Sequence, residues 1–259
     1  MINTLNENKE SNFLIICDHA SKYVPTKYKG LGLDNNTLNT HIAYDIGVKE
    51  VATLIAKSLK CPLIMSNFSR LLIDANRGID DPTLIMKISD GKIIHGNKDI
   101  SFLVDCKEKK QRINFYYNIY HNKISEIIER LEKKKKNPAI ISIHSFTPIF
   151  AGNKREIELG ILWDSDNRLP DIFFDYLNKN HKDINVGNNK PYSGRMKNDT
   201  LHRHGTKQGL ANILIEIRQD LIYDSIGQKK ISKIIAQPLL ENKNNINLFN
   251  KKFYQSFTR

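Results

Sequence analysis

The chain lacks the features that mark several specialised classes of protein. Its three cysteines, Cys17, Cys61 and Cys106, form no CxxC pair and no even-numbered set, which argues against a disulfide framework. No apolar stretch approaches about 18 residues, the length that suggests a membrane span. The polar segment 1–11 has no apolar core of the kind found in a signal peptide. We therefore expect a cytoplasmic protein without a membrane partner.

A nucleic-acid recognition motif is also missing, although the formal net charge is +12. The basic residues are scattered, and the one dense cluster, residues 133–136, ends a helical pattern where cations favour the helix dipole and stay solvated. Charge without a recognition motif does not indicate nucleic-acid binding. A general positive potential could instead help to collect small anionic substrates.

No internal repeat and no Pro-, Gly- or Ser-rich linker divides the 259 residues, so we interpret residues 1–259 as a single domain. Apolar runs typical of buried strands alternate with helical periodicity, and this alternation predicts a largely parallel sheet covered on both faces. The expected strands are residues 13–17, 62–66, 71–73, 139–143, 157–163 and 211–217. The expected helices are residues 45–60, 105–136, 171–179 and 226–240. The polar stretches 18–44 and 185–206 are expected to be long binding loops.

Two histidines come just after apolar runs, His19 after residues 13–17 and His144 after residues 139–143. Ligands of open α/β sheets bind beyond the carboxyl ends of the strands, so the two imidazoles should converge. Neutral imidazole is a good zinc ligand, and a catalytic zinc site typically has three protein ligands and one open position. A structural role is the alternative for either residue. A hydroxyl residue and a proline-bearing turn beside each histidine favour the metal site.

Glu216 interrupts the apolar run 212–217. A carboxylate there carries a burial cost unless it is paired or hydrogen-bonded. Arg218 could supply an ion pair, but alternate residues of a strand share a face, so both side chains could equally line a cleft. A desolvated carboxylate beside a metal-activated water would make a suitable general base, and we predict that role for Glu216.

Arg70, Asn76 and Arg77 form a second group around the short apolar run 71–73. A guanidinium is a planar fork of donors that binds a carboxylate in a bidentate manner, and an amide adds a further donor. The group would therefore suit an anionic substrate. Spacing alone allows an alternative, a surface turn in which these residues pair with Asp74, Asp80 or Asp81.

Three segments are similar to motifs of zinc carboxypeptidases and aspartoacylase-like amidohydrolases: Ile143-His144-Ser145-Phe146, Asp74-Ala75-Asn76-Arg77 and Ile215-Glu216-Ile217-Arg218. The whole chain more closely resembles the N-formylglutamate amidohydrolase family. The matching stretches occur in order over residues 13–222 and comprise 18–21 with Pro25, 44–47, 69–82, 120–121, 191–194 and 216–221. The resemblance implies a three-layer α/β/α sandwich with a mixed, mostly parallel sheet, of the phosphorylase/hydrolase-like and zinc-peptidase-like kind.

The same resemblance implies roles for individual residues. His19 and His144 become ligands of a divalent metal, for which we expect zinc, and Glu216 becomes the base or proton shuttle. Arg70 becomes the carbonyl polariser, and Asn76 with Arg77 the clamp for a substrate carboxylate. Further substrate contacts are expected from Tyr192 and Arg218. Apart from the resemblance, His202 and His204 lie in the polar stretch 185–206 and could also contact the substrate. His121, at the edge of the long helical stripe, is expected to be a core histidine.

One position departs from the carboxypeptidase pattern. Lys22 stands three residues after the first histidine, where carboxypeptidases have a ligand glutamate, and an ammonium cannot bind a metal. We expect Asp45 to supply the third ligand. Its position at the start of a predicted helix leaves an N-terminal helix cap as an equal alternative.

The expected function is metal-dependent hydrolysis of the amide bond of a small N-acyl amino acid such as N-formylglutamate, which would release formate and glutamate. A metallocarboxypeptidase acting on a peptide or cell-wall fragment is the alternative enzyme, because it too needs a carboxylate clamp and an activated water. A catalytically silent anion-binding protein on the same scaffold is the alternative outside enzymes. The expected partner is a small anionic substrate, and no feature of the sequence indicates an oligomeric state.

Overall fold

The structure of the protein is a computed structural model, which describes residues 1–100 and 106–258. Its strands are β1 (Ile2–Leu5), β2 (Phe13–Cys17), β3 (Leu63–Ser66), β4 (Ile88–Ser89), β5 (Lys92–Ile93), β6 (Ala139–Phe146), β7 (Ile149–Phe150), β8 (Asn153–Lys154), β9 (Leu159–Leu162), β10 (Val186–Asn188) and β11 (Asn212–Arg218). Its α-helices are α1 (Asn35–Leu38), α2 (Val48–Leu59), α3 (Lys107–Arg112), α4 (Asn118–Lys133), α5 (Arg168–Asn180), α6 (Thr200–His204) and α7 (Ser225–Glu241), and a π-helical turn, Ile113–Tyr117, joins α3 to α4.

Seven of these strands form one sheet in the order β1-β3-β2-β6-β11-β9-β10. The pairs β3–β2, β2–β6, β6–β11 and β9–β10 are parallel, whereas β1–β3 and β11–β9 are antiparallel. The pairs β4–β5 and β7–β8 are separate two-stranded hairpins. The predicted mixed, mostly parallel sheet is therefore confirmed.

Both faces of the sheet are covered. In β2, Phe13, Ile15 and Cys17 belong to one buried apolar cluster, called the first cluster. Leu14 and Ile16 belong to another on the opposite face, called the second cluster, as the two-residue period of a strand requires. Helices α2, α5 and α7 pack on the first cluster, and α4 packs on the second. The chain thus forms the expected α/β/α sandwich. No helix in the described part of the chain is both long and apolar enough to cross a membrane.

The predicted strand at 71–73 is wrong. Leu71, Leu72 and Ile73 are fully buried in the second cluster, but they lie in an irregular turn outside every strand. An apolar run indicates that the residues are buried, but buried residues need not pair with a neighbouring strand. The edge strand β1, the strand β10 and helix α6 were not predicted, because their short sequences are polar or mixed.

The long predicted helices are present with shifted ends. The helix expected at 45–60 begins at Val48, after Gly47 in a left-handed conformation with φ of 81°. The helix expected at 105–136 appears as α3, the π-helical turn and α4, and it ends at Lys133; position 105 lies outside the described residues.

Candidate metal centre and substrate cavity

Three neighbouring parallel strands bring the predicted residues to one edge of the sheet. His19 follows the end of β2, while His144 and Glu216 lie within β6 and β11 and are paired in register. Ile143, Ile215 and Ile217 face the first buried cluster, so His144 and Glu216 point to the opposite face. The strand ends place these three residues together, as the sequence predicted.

Asp45 reaches the same point from the loop before α2. Its backbone N–H donates to the carbonyl of His19 at 3.0 Å, and its Oδ2 accepts from the backbone N–H of Ser145 at 3.2 Å. The N-cap residue of α2 is Gly47, and no side chain caps the helix there. The alternative of an Asp45 helix cap is therefore wrong, and its carboxylate faces the histidines.

His19, Asp45 and His144 are all buried and form a compact group of donor atoms that could hold a metal ion. The Asp45 Oδ2 atom lies 2.9 Å from Nδ1 of His144 and 3.4 Å from Nδ1 of His19. The two imidazole rings are nearly perpendicular, with centroids 4.8 Å apart. Each ring thus presents its Nδ1 atom to the same carboxylate.

A further aspartate is hydrogen-bonded to the far side of each ring. The Nε2 atom of His19 lies 2.7 Å from Asp74, and the Nε2 atom of His144 lies 2.9 Å from Asp18. A carboxylate only accepts hydrogen bonds, so each Nε2 atom carries a proton, and a ring that is neutral then has its lone pair on Nδ1. Carboxylate–histidine pairs of this kind fix the tautomer and orientation of metal-binding histidines.

The donor set fits a cation. With both rings neutral, three acceptor atoms face one another, and Nδ1 of His19 has no hydrogen-bond partner in the described part of the chain. Without a cation, the cluster must take up a proton instead: burial opposes charge on His144, but Asp18 and Asp45 together raise its pKa well above the usual value. The geometry therefore favours a positive charge at this point.

Asp18 is itself fully hydrogen-bonded. Its carboxylate accepts from the hydroxyls of Tyr120 at 2.9 Å, Ser142 at 3.0 Å and Thr200 at 2.7 Å, in addition to His144. Burial alone would raise the pKa of Asp18, but the hydrogen bond and charge of His144 lower it below the ordinary value. Asp18 had no predicted role, and its position directly before His19 was the available signal.

Arg70 bridges two of these carboxylates. One terminal nitrogen donates to Asp74 at 2.9 Å, and the other lies 3.4 Å from Asp45. The predicted alternative of an Arg70–Asp74 pair is thus present, but within the site rather than in a surface turn. The Nε atom of Arg70 is buried without a hydrogen-bond partner among the described residues.

Glu216 makes no hydrogen bond in the described structure, and its Oε2 atom is buried and unpartnered. Only 8% of the residue is exposed. Burial raises the pKa of this carboxyl to about 7, against the opposing charge of His144. The predicted alternative of a Glu216–Arg218 ion pair is absent from the described ion pairs.

A cavity of about 200 Å³ opens over this group and suits a small ligand. Arg77 lines it, and no carboxylate of the described residues lies within 4.0 Å of its guanidinium. Its Nε donates to Thr83 at 3.1 Å, and one terminal nitrogen donates to the Asn76 carbonyl at 2.9 Å. The cavity is lined by His19, Asp45, Arg70, Asn76, Arg77, His144, Ser145, Leu162, Tyr192, Ser193, Met196, Asp199, Leu214 and Glu216.

Comparison with known proteins is consistent with this site. Residues 11–223 match the N-formylglutamate amidohydrolase family. The chain belongs to that family.

Two solved structures are similar to this chain over almost their whole length. A gene product from Agrobacterium tumefaciens is 33% identical, with a TM-score of 0.87 over 95% of this chain and 96% of that chain. N-formylglutamate amidohydrolase from Ralstonia eutropha JMP134 is 19% identical, with a TM-score of 0.69 over 95% of this chain and 98% of that chain, and shares the fold. No curated protein is significantly similar in sequence.

Two residues that the family resemblance and loop position suggested for substrate contact are engaged elsewhere. Arg218 pairs with Asp220 at 2.7 Å and with Glu158 at 3.3 Å. His204 is buried, and its Nε2 lies 2.9 Å from Nδ1 of His121. Neither is among the residues that line the cavity of this amidohydrolase-family protein, because their partners hold them outside it.

Other cavity residues were not anticipated. Asp199 caps α6 by accepting from the His202 backbone N–H at 2.7 Å, and burial raises its pKa to about 7. Met196 lies in the polar stretch expected to form a binding loop. An Asp before a short helical segment is a recognisable cap signal, but nothing in the sequence indicates that it borders the cavity.

Proposed function

We propose that the protein is a metal-dependent amidohydrolase that cleaves the amide bond of a small N-acyl amino acid, with N-formylglutamate as the leading substrate. The reaction would release formate and the free amino acid. The proposal rests on one arrangement: two histidine Nδ1 atoms converge on Asp45, with both rings held from behind, beside the unpartnered Glu216.

His19, His144 and Asp45 would hold the ion. Two imidazoles and one carboxylate are a common ligand set for catalytic zinc, and they leave one position open. When bound, such an ion lowers the pKa of water and polarises a carbonyl oxygen. Asp18 and Asp74 act as positioning residues, because they keep each Nδ1 lone pair directed to the centre of the group.

Glu216 is proposed as the general base. An unpaired, buried carboxylate that lines the cavity can accept a proton from the attacking water and then pass it to the leaving nitrogen. Burial keeps the carboxylate weakly solvated, so the charged form is a better proton acceptor than an exposed glutamate. Arg70 is proposed to donate from its unpartnered Nε to the scissile carbonyl oxygen.

Asn76 and Arg77 are proposed to bind the substrate carboxylate. The Oδ1 atom of Asn76 accepts from the Thr200 backbone N–H at 3.1 Å, which leaves the amide nitrogen as a donor. The Nη2 atom of Arg77 has no hydrogen-bond partner in the described structure, and the guanidinium has no competing carboxylate. Tyr192, which lines the cavity, is proposed as a further substrate contact.

The proposal is tested by metal analysis of the purified full chain and by hydrolysis assays of the zinc-loaded protein. We expect about one bound zinc per chain and release of formate from N-formyl-L-glutamate. Peptides with a free C-terminus serve as the comparison substrates. Preferential cleavage of the peptides would favour a carboxypeptidase, and bound metal without hydrolysis of any substrate would contradict an enzymatic role.

A further inference from the structure

Arg155 is held at the edge of the cavity by three aromatic rings. It follows β8, and its guanidinium carbon lies 4.7 Å from the Phe150 ring centroid, 5.0 Å from that of Tyr192 and 5.3 Å from that of Phe146. Its backbone N–H donates to the Pro148 carbonyl at 2.8 Å, which closes the β7–β8 hairpin. Stacking on rings restricts the guanidinium to a narrow range of positions.

This cation lacks an acidic partner. Among the described residues, no carboxylate lies within 4.0 Å of Arg155, and only one side-chain nitrogen is hydrogen-bonded, to the Tyr192 hydroxyl at 2.7 Å. The nearby Arg218, by contrast, is neutralised by Glu158 and Asp220. Arg155 therefore retains free donors and an uncompensated charge.

Two contacts connect Arg155 to the cavity. Tyr192 is one of the cavity-lining residues, and Phe146 stands two residues after His144 on β6. Burial raises the pKa of the Tyr192 phenol, and the charge of Glu216 also raises it, whereas Arg155 and Arg70 lower it. The charge of Arg155 therefore acts on the same hydroxyl as the groups assigned to the chemistry.

We propose that Arg155 binds a second carboxylate of the substrate and makes the site selective for dicarboxylic N-acyl amino acids. The inference rests on the proposed function, in which Arg77 binds the first carboxylate. Arg70 is already neutralised by Asp74 and Asp45. Arg77 and Arg155, by contrast, each lack a carboxylate partner among the described residues, and they are held by different parts of the cavity wall, as a substrate with two anionic groups would require.

The test measures binding rather than turnover. Calorimetry of the zinc-loaded full chain compares L-glutamate with L-glutamine, two unreactive ligands that differ in the charge of the side chain. We expect the wild type to bind L-glutamate at least roughly 10-fold more tightly, the lower end for a hydrogen bond to a charged group. Arg155→Met should abolish most of this preference while leaving L-glutamine affinity unchanged.

Arg195→Met is the matched control. Arg195 is an exposed arginine whose guanidinium carbon lies 5.1 Å from the Phe257 ring centroid, but this ring does not line the cavity. The control variant should keep the wild-type preference. No preference in the wild type, undetectable binding of both ligands, or equal weakening of both ligands in Arg155→Met would overturn the proposal.

Failure of the proposed function gives a different result. A glutamate preference that Arg155→Met removes, in a protein that hydrolyses no N-acyl amino acid, would support the second anion site and contradict the reaction. Hydrolysis of N-formyl-L-glutamate with an unchanged preference in Arg155→Met would support the reaction and exclude Arg155 from specificity.

Discussion

The molecule contains two buried pairs of histidines in contrasting surroundings. The rings of His19 and His144 are nearly perpendicular with centroids 4.8 Å apart, and those of His121 and His204 are stacked with centroids 5.1 Å apart. Carboxylates surround the first pair on every side that carries a nitrogen. In the second pair, Nδ1 of His121 is hydrogen-bonded to Nε2 of His204, and Nε2 of His121 is hydrogen-bonded to the Ala75 carbonyl at 3.0 Å.

The carboxylates reverse the effect of burial. Burial, together with the charge of Arg203, lowers the pKa of His121 well below its usual value and that of His204 to about 4. Burial also opposes charge on His144, but Asp18 and Asp45 outweigh it and raise the pKa. Two histidines that meet in a core are therefore suited to a cation only where acidic partners surround them and fix the tautomer.

The largest effect on zinc binding is expected when one histidine of the first pair is replaced, and the matching replacement in the second pair is the control. His144→Asn should lower zinc affinity by more than about 100-fold, the upper value for loss of a carboxylate that only supports a ligand, and activity should fall with it. His204→Asn should leave the zinc content unchanged and cost about 1–3 kcal/mol of unfolding free energy for the lost buried hydrogen bond. Zinc per chain after dialysis and thermal unfolding measure both.

Equal zinc loss in the two variants would contradict the prediction that the first pair binds zinc and the second does not. Retention of zinc by His144→Asn would exclude that residue as a ligand.

The second prediction concerns Glu216, the buried carboxylate that lines the cavity beside His19 and His144. Glu216→Gln keeps the side-chain shape but removes the proton acceptor. The rate constant kcat should fall by about 10²–10⁴-fold, the usual contribution of a general base, while zinc content stays at one per chain. Steady-state kinetics and metal analysis test this, and near-normal activity would remove Glu216 from the mechanism.

The third prediction compares the arginines near the two pairs. Arg77→Lys loses the planar fork, and hydrogen bonds to a charged group contribute about 1.5–3 kcal/mol, so kcat/KM should fall by roughly 10- to 150-fold. The deficit should shrink for a substrate whose α-carboxylate is amidated. Arg203, whose guanidinium stacks on Tyr117 and donates to its hydroxyl at 2.7 Å, supplies the control.

Arg203→Lys should affect thermal stability and leave the ratio between the two substrates unchanged. Equal losses on both substrates in Arg77→Lys would rule out the carboxylate clamp.

The smallest expected effect lies at Asp199, which borders the cavity of the first pair and caps the helix that carries His204. Burial raises its folded pKa to about 7, so the folded chain holds this proton to higher pH than the unfolded chain. The free energy of unfolding should therefore fall as pH rises from the unfolded pKa of about 4 to the folded value.

Asp199→Asn keeps an acceptor for the His202 N–H and removes this titration. Between about pH 6 and 7, the wild type should lose about 1 kcal/mol of unfolding free energy relative to the variant, because one proton corresponds to about 1.4 kcal/mol per pH unit. Urea unfolding at both pH values measures the difference. Parallel pH profiles would show that Asp199 titrates alike in the folded and unfolded chains.

Sequence patterns predicted the central strands of the sheet better than its edge strands. The limits of β2 agree with the predicted strand 13–17, since five consecutive apolar residues between polar ones leave little choice of boundary. The run 71–73 is equally apolar and forms no strand, because its side chains are buried in the second cluster without a partner strand. The edge strand β1 has half-buried residues without a continuous apolar run, so its pairing with β3 has no comparable signal.

The position of the site followed from the strands. His19, His144 and Glu216 could be identified because each is a polar residue at or near the end of an apolar run, and parallel strands end at one edge of the sheet. Arg70, Asn76 and Arg77 could be grouped from their chemistry and spacing, the family resemblance gave them separate roles, and all three line the cavity. The resemblance also suggested Arg218, which tertiary contacts hold elsewhere.

The sequence by itself determined which residues end the strands, and hence which imidazoles and carboxylate could meet. Only the tertiary structure decided that Asp74 and Asp18 hold the two rings, that Asp45 faces them rather than capping a helix, and that His204 turns to His121. The hydrogen bonds that hold the rings join residues 55 and 126 positions apart. Local patterns carry no record of such partners, because side-chain orientation at long range is set by how the loops pack once the sheet has formed.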